Sequence, residues 1–134
     1  KTNGGGTPVS LTEPQAYAYA KFAIAGGHDH LTLRCRNFSG QNPTVFKLTA
    51  ITNDMQVKHI LPATVSANHW GEAGDGCVGF IHEDGGAGNP EAYATFTYDL
   101  TQFDGKEVTL CLGVYKGTDN GDENKLCIYS INLN

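Results

Sequence analysis

The sequence has few charged residues, only one methionine and no long apolar run. Charged side chains make up 17% of the 134 residues, which is low for a protein built from long helices. No apolar stretch approaches the roughly 20 residues that a membrane-spanning helix needs, so we expect no membrane insertion. The net charge is −5 and arginine occurs only as Arg34 and Arg36, which makes the chain a poor partner for a phosphate backbone. We therefore expect no nucleic-acid binding.

Motifs for catalysis and metal binding are also missing. The four cysteines contain no CxxC pair, which argues against a zinc knuckle or a thioredoxin-like site. The sequence has no GxSxG nucleophile elbow and no glycine-rich loop followed by Lys and Ser or Thr. His28 and His30 flank Asp29 at a glycine-rich turn, and side chains two residues apart on a strand share a face, so a metal corner is one interpretation. We favour the other, a solvated turn. We expect the domain to lack catalytic activity of its own.

Short runs of Thr, Val, Ile, Tyr and Phe alternate with 17 glycines and other turn formers, a pattern that favours β structure. In the clearest run, Leu31, Leu33 and Cys35 share one face. We predict an all-β, two-sheet antiparallel sandwich of the jelly-roll type, with an immunoglobulin-like sandwich as the main alternative. Residues 62–76 are interpreted as a loop. The predicted strands are 9–12, 18–25, 30–38, 44–51, 56–61, 77–81, 92–98, 107–115 and 125–133.

The glycine-rich segment 1–8 is interpreted as a linker, and 9–134 as a single domain. Because the first residues form an ordinary polar stretch with no signal peptide, we expect the sequence to be part of a longer protein or to have lost a leader. The expected location is secreted or at the cell surface, with the domain tethered to others.

Two segments of the C-terminal third carry a family resemblance. Residues 96–110 read as an aromatic strand, Asp-Leu-Thr, an aromatic, Gly-Lys and alternating apolar residues, and 125–133 read as a closing strand. They resemble the last strands of the galactose-binding-like jelly-roll, a fold of many carbohydrate-binding modules attached to secreted glycosidases. In this arrangement Leu100 and Phe103 would close one end of the sandwich, and Gly105 would relieve a tight turn. Val108, Leu110 and Leu112 would line the core.

Sugar binding in such modules depends on an exposed aromatic ring beside polar side chains. Trp70 stands in a polar, glycine-rich stretch, so we predict that it stacks on a sugar, with packing over the end of the sandwich as the alternative. A face of one sheet, with Arg34, Arg36, Tyr93 or Tyr98, is a second candidate location. The predicted carbohydrate-binding residues are Trp70, His69, Glu72, Tyr115, Asn120, Asn124 and His82.

The loop 119–124 is rich in oxygen ligands, and structural calcium is common in the fold that the sequence resembles. Asp119 and Asp122 are therefore candidate calcium ligands, although a hydrated turn is the simpler interpretation. The last two predicted strands carry Cys111 and Cys127. These cysteines can form a cross-strand disulfide or remain free and buried, and we favour free thiols.

The sequence as a whole predicts a non-catalytic carbohydrate-binding module. Its partner would be a polysaccharide or oligosaccharide, and its parent protein a secreted glycoside hydrolase or a cell-surface protein. The main alternative is an adhesion or protein-interaction module on the same fold. A small glycan hydrolase is the less favoured third hypothesis, since any two of the fourteen carboxylates can be nominated as catalytic.

Overall fold

The computed structural model describes residues 14, 16–37, 44–67, 70–80, 93–115 and 126–134. These ranges contain ten strands and one turn of 3₁₀ helix, Thr101–Phe103. None of the helical structure that they contain is long and apolar enough to cross a membrane. The strands are β1 (Ala16–Ala23), β2 (His30–Asn37), β3 (Thr44–Thr52), β4 (Val57–Ile60), β5 (Thr64–Val65), β6 (Trp70–Gly74), β7 (Cys77–Phe80), β8 (Ala94–Asp99), β9 (Glu107–Tyr115) and β10 (Leu126–Leu133).

The strands form two antiparallel sheets. Sheet A has the order β1-β9-β3-β7-β6, and β4 also pairs with β3. The free side of β3 is divided between two neighbours, because Thr44–Phe46 pair with β7 whereas Leu48–Ile51 pair with β4. Sheet B has the order β10-β2-β8-β5. The predicted two-sheet antiparallel β-sandwich is confirmed.

The core lies between the sheets and follows from the alternation of apolar residues along each strand. Leu31, Leu33 and Cys35 of β2 are buried, as are the alternate residues of β8 and β9. Phe46 of sheet A meets Phe96 of sheet B edge to face, with ring centroids 5.0 Å apart. Phe80 contacts both rings edge to face, with interplanar angles of 83° to Phe46 and 68° to Phe96. Such contacts stabilise by about 0.5–1.5 kcal/mol each beyond the burial of area.

The packing predicted for the C-terminal segment is confirmed. Leu100 and Phe103 are fully buried, and the 3₁₀ turn that carries Phe103 closes one end of the sandwich. Gly105 has a φ of +78°, a conformation that side chains disfavour. Val108, Leu110 and Leu112 are also in the core, as expected for inward positions of a half-buried strand.

One expectation about the strands is wrong. Residues 62–76 are not a loop, because they contain β5 and β6, and β6 pairs with β7 across a tight turn at 74–76. The sequence of β6 did not predict a strand because it contains glycines, which are depleted in strands. The preferred expectation of free thiols is confirmed, because all four cysteines are free; Cys35 and Cys77 are buried, and Cys111 and Cys127 are half-buried. The alternative, a disulfide across one hairpin, is excluded because β9 belongs to sheet A and β10 to sheet B. The predicted linker 1–8 and strand 9–12 lie outside the described residues.

Candidate functional site

The structure places Trp70 in strand β6, not in a loop. Trp70 is directly opposite Phe80 of β7, and its half-buried ring packs against the core between the sheets. This is the packing alternative that the sequence left open for this residue. A ring held in this way has only part of its surface left for a ligand.

Tyr115 lies at the end of β9 and is only 5% exposed. It packs with Val45 and Cys77 on the outer side of sheet A, and the Lys47 ammonium lies 4.9 Å from its ring centroid. Burial and the lysine cover this ring, so Tyr115 has little surface for stacking on a sugar. The register of β9 turns the Tyr115 side chain into this small cluster, so its burial does not favour the predicted role in sugar binding.

Trp70 and Tyr115 do not form one site. Trp70 is on β6 and Tyr115 is on β9, with β7 and β3 between them, a distance of about 14 Å at the usual strand spacing. They also face opposite sides of sheet A, because Trp70 packs on the main core and Tyr115 on the outer cluster. Glu72 is exposed on β6. His69, His82, Asn120 and Asn124 lie outside the described residues.

The candidate calcium ligands Asp119 and Asp122 also lie outside the described residues. Within the ranges that the structure covers, no group of three or more His, Cys, Asp or Glu side chains is arranged to hold a metal ion. The calcium prediction therefore stays a prediction from the sequence.

The outer face of sheet B carries charged and aromatic side chains around β2. The alternation that buries Leu33 and Cys35 turns Arg34 and Arg36 outwards. Arg34 lies opposite Thr95 of β8 and Ser130 of β10. The two central arginines are thus flanked by the neighbouring strands on either side.

Tyr129 reaches the same face through a β-bulge. Ile128 pairs with Cys35 and Ser130 pairs with Arg34, so Tyr129 is an extra residue in β10 without a partner on β2. The Tyr129 side chain lies over Arg34 and is 63% exposed. The bulge therefore places a large ring beside the arginine at the centre of the face.

Four side chains make direct contact here, and we call them the arginine–tyrosine face: Arg34, Arg36, Tyr93 and Tyr129. The guanidinium carbon of Arg34 is 4.7 Å from the centroid of the Tyr129 ring and 5.4 Å from that of Tyr93. Arg36 lies 5.7 Å from the Tyr93 centroid. The two rings are 5.2 Å apart and inclined by 60°. Each cation–π contact is worth about 0.5–1 kcal/mol at an exposed site, so the contacts hold the rings and cations in position.

Hydroxyl and amide groups continue along the same side of sheet B. Thr32 pairs with Thr97 on β8 and Asn132 on β10. Asn134 donates a hydrogen bond of 3.0 Å from Nδ2 to the Thr32 hydroxyl. The face combines aromatic rings, guanidinium donors and small polar groups. These are the groups that bind the apolar and hydroxyl sides of a sugar ring.

Sheet A carries a second exposed pair of aromatic residues on β1. Tyr17 and Tyr19 are 63% and 69% exposed, and their rings stack with centroids 6.1 Å apart. Two strands away, the Lys47 Nζ donates a 3.1 Å hydrogen bond to Asp75. His59 Nε2 is 3.6 Å from the other Asp75 oxygen.

Asp75 interacts with two basic side chains, Lys47 and His59. The hydrogen bond from Lys47, whose side chain is 3% exposed, and the charges of Lys47 and His59 lower the pKa of the Asp75 carboxyl. The carboxylate in turn stabilises a nearly buried ammonium group. This arrangement fits a structural role, because the lysine is not accessible to a ligand.

An apolar cleft of about 130 Å³ opens between the edges of the two sheets. Ala18 and Ala20 of β1 and Ile131 of β10 lie at its mouth, and Leu31 and Leu110 form part of its floor. The small alanines leave the space open, because they are too short to fill the gap between the sheets.

Sequence reasoning found part of the arginine–tyrosine face and missed part of it. It named Arg34, Arg36 and Tyr93 as a sheet-face site, and the structure brings these three together. It also named Tyr98, which is wrong because Tyr98 is buried in the core. It missed Tyr129, although the sequence contains a signal. Ile128 and Ile131 are three residues apart, and two inward positions at that spacing require a bulge between them.

No protein-family model and no curated protein matches the chain.

Proposed function

We propose that this protein is a non-catalytic carbohydrate-binding module whose ligand lies on the arginine–tyrosine face. The observation that carries the proposal is the contact of Tyr93 and Tyr129 with Arg34 on an outer sheet surface. The rings provide apolar area for the C–H side of a pyranose, and the guanidinium groups donate hydrogen bonds to its oxygens. The resemblance of the C-terminal third to galactose-binding-like jelly-rolls supports the same conclusion.

The parent protein, in this proposal, is a secreted polysaccharide-degrading or cell-surface protein that uses the domain to hold a glycan. The glycine-rich start of the sequence supports a tethered domain. The site lies on a rigid sheet and its rings are already in contact. The ligand therefore meets groups whose ordering costs little on binding.

Calorimetry and affinity electrophoresis against a panel of plant, algal and host glycans test the proposal. We expect at least one glycan to bind and Tyr129→Ala to weaken that binding at least tenfold. Tyr17→Ala is the matched control, because it removes a tyrosine of equal exposed fraction from the opposite sheet. Equal effects of the two substitutions, or no binding of the wild-type protein to any glycan, would contradict the proposal.

The apolar cleft between β1 and β10 favours a second candidate function, that of a protein-interaction module. Among the described strands β1 pairs only with β9, so its other edge can accept a strand from a partner. Ala18→Lys would place a charge in the cleft and should abolish binding of a partner protein. The same substitution should leave glycan binding unchanged, which separates the two functions.

A further inference from the structure

We propose that the glycan bound by the arginine–tyrosine face carries carboxylate groups, and that Arg34 binds the carboxylate of a uronic acid residue. This inference rests on the proposed function for the existence of a glycan site. It adds the chemical class of the sugar, which neither the fold nor the tyrosines determine. Three features of the face support it: the position of the charges, the contacts of Arg34 and the composition of the surrounding surface.

The charge of Arg34 is not balanced by the described part of the protein. No carboxylate of a described residue lies within ion-pair distance of its guanidinium, whereas Lys21 and Lys47 both have acidic partners on sheet A. On sheet B, the acidic Asp99 pairs with His30, four residues along the strand from the Arg34–Thr95 pair. That separation is about 13 Å, so the carboxyl group lies at the far end of the sheet.

The contacts of Arg34 hold its position but leave its hydrogen-bond donors available. Its side chain is located by two tyrosine rings and makes no hydrogen bond to any other residue in the described ranges. A guanidinium group has five N–H donors in a planar fork that matches the two oxygens of a carboxylate. Such charge-assisted, bidentate pairs are roughly twice as strong as neutral hydrogen bonds. A neutral sugar hydroxyl would use this fork poorly.

Arg36 increases the preference for an anion. It projects from the same side of β2 as Arg34, about 7 Å further along the strand, and lies over the Tyr93 ring. The two guanidinium groups thus lie on one face of a chain whose net charge is −5. The overall charge repels polyanions, so binding of an acidic glycan must arise from local contacts at this face.

The rings select a sugar in preference to a simple anion. Tyr129 is exposed beside Arg34, so a carboxylate on the fork would place its own pyranose ring next to an aromatic surface. A uronic acid combines both features, since its carboxyl group is attached directly to the ring. A sulfated neutral sugar has the charge on a longer, tetrahedral group, and a comparison of uronates with dextran sulfate distinguishes the two.

Calorimetry of the full chain with oligogalacturonate and with its methyl ester is the decisive comparison, because esterification removes the charge and retains the sugar backbone. Glucuronate and alginate oligosaccharides extend the test to other uronic acids, and dextran sulfate tests polyanions in general. We expect at least one of the uronates to bind at least tenfold more tightly than its methyl ester and than dextran sulfate.

Three variants assign the effect to Arg34. Arg34→Gln should reduce the affinity for the acidic oligosaccharide to that for its ester, and Arg34→Lys should recover only part of it because lysine lacks the fork. Lys58→Gln removes an exposed positive charge from sheet A and should have no effect. Circular dichroism melting curves check that each variant is folded.

Each alternative outcome has a defined meaning. If neutral glycans or esters bind as tightly as acids, the inference about uronic acids is wrong and the proposed function stands. If dextran sulfate binds as tightly as the uronates, general charge attraction replaces the carboxylate site. If no saccharide binds, the proposed function and this inference both fail.

Discussion

The guanidinium carbon of Arg34 lies 4.7 Å from the centre of the Tyr129 ring, although β2 and β10 lie far apart in the chain. The contact depends on the pairing of these strands in sheet B and on the extra residue in β10. A regular β10 would shift the residue opposite Arg34 by one position. The bulge is therefore a structural determinant of the candidate site.

Trp70→Ala should reduce stability and leave glycan binding intact. Its half-buried ring packs on the core, so we expect the free energy of unfolding to fall by about 3 kcal/mol, the lower end of the range for packed tryptophans. Urea unfolding measures this loss. Tyr129→Ala should show the reverse pattern, with little change in stability and weakened binding, because its ring is exposed. If Trp70→Ala abolishes binding without affecting stability, the site is at β6 and not on sheet B.

Alanine substitutions at three glycines should lower the stability by amounts that depend on the backbone φ and on the space available for a Cβ. Gly76 has a φ of +79°, and a Cβ there would lie 2.5 Å from the Cβ of His59, so Gly76→Ala should be the most destabilising. Gly105 has a φ of +78° with open space around it, so Gly105→Ala should cost about 1–2 kcal/mol from backbone strain alone. Gly26 has neither problem, and Gly26→Ala should be nearly neutral. Thermal and urea unfolding measure the order, and a different ranking would contradict the packing of the β6–β7 turn on β4.

The Asp75–Lys47 pair should make stability depend on pH in the acidic range. Folding lowers the pKa of the Asp75 carboxyl below its value in the unfolded chain. The carboxylate therefore stabilises the native state at any pH above the unfolded pKa. This contribution is lost as the pH falls through the lower pKa of the folded protein. Asp75→Asn should therefore be less stable than wild type at neutral pH, and the difference should shrink below about pH 4. Glu72→Gln is the control, because it removes an exposed carboxylate from β6, just before the turn that carries Asp75. Urea midpoints from pH 2 to 7 test this, and a difference independent of pH would contradict it.

The fold followed from sequence where strands alternate regularly between apolar and polar residues. In β2, Leu31 and Leu33 alternate with threonine and arginine, and a pleated strand with one buried face explains both sets. The end of the sandwich was also predictable, since two apolar residues, Leu100 and Phe103, lie just before the turn residue Gly105. Strand β6 was not predictable from its composition, because two of its five residues are glycine and its stability comes from pairing with β7.

The candidate site was only partly predictable because it is assembled from strands that are distant in sequence. The period of β2 shows that Arg34 and Arg36 share a face, but it does not show which strands lie beside them. For Trp70, the local sequence gave a misleading prediction. Its polar sequence neighbours suggested exposure, whereas its ring packs against the core at a position paired with Phe80 on the adjacent strand. Contacts between strands cannot be derived from local composition.

Nuclear magnetic resonance mapping with the tightest-binding oligosaccharide tests the central claim that the arginine–tyrosine face is the glycan site. We expect amide shifts on titration to concentrate in β2, β8 and β10, around Arg34, Thr95 and Tyr129. Amides near Tyr17, Tyr19 and Trp70 should remain unchanged. Shifts concentrated on sheet A or around Trp70, with the sheet B amides unaffected, would contradict it.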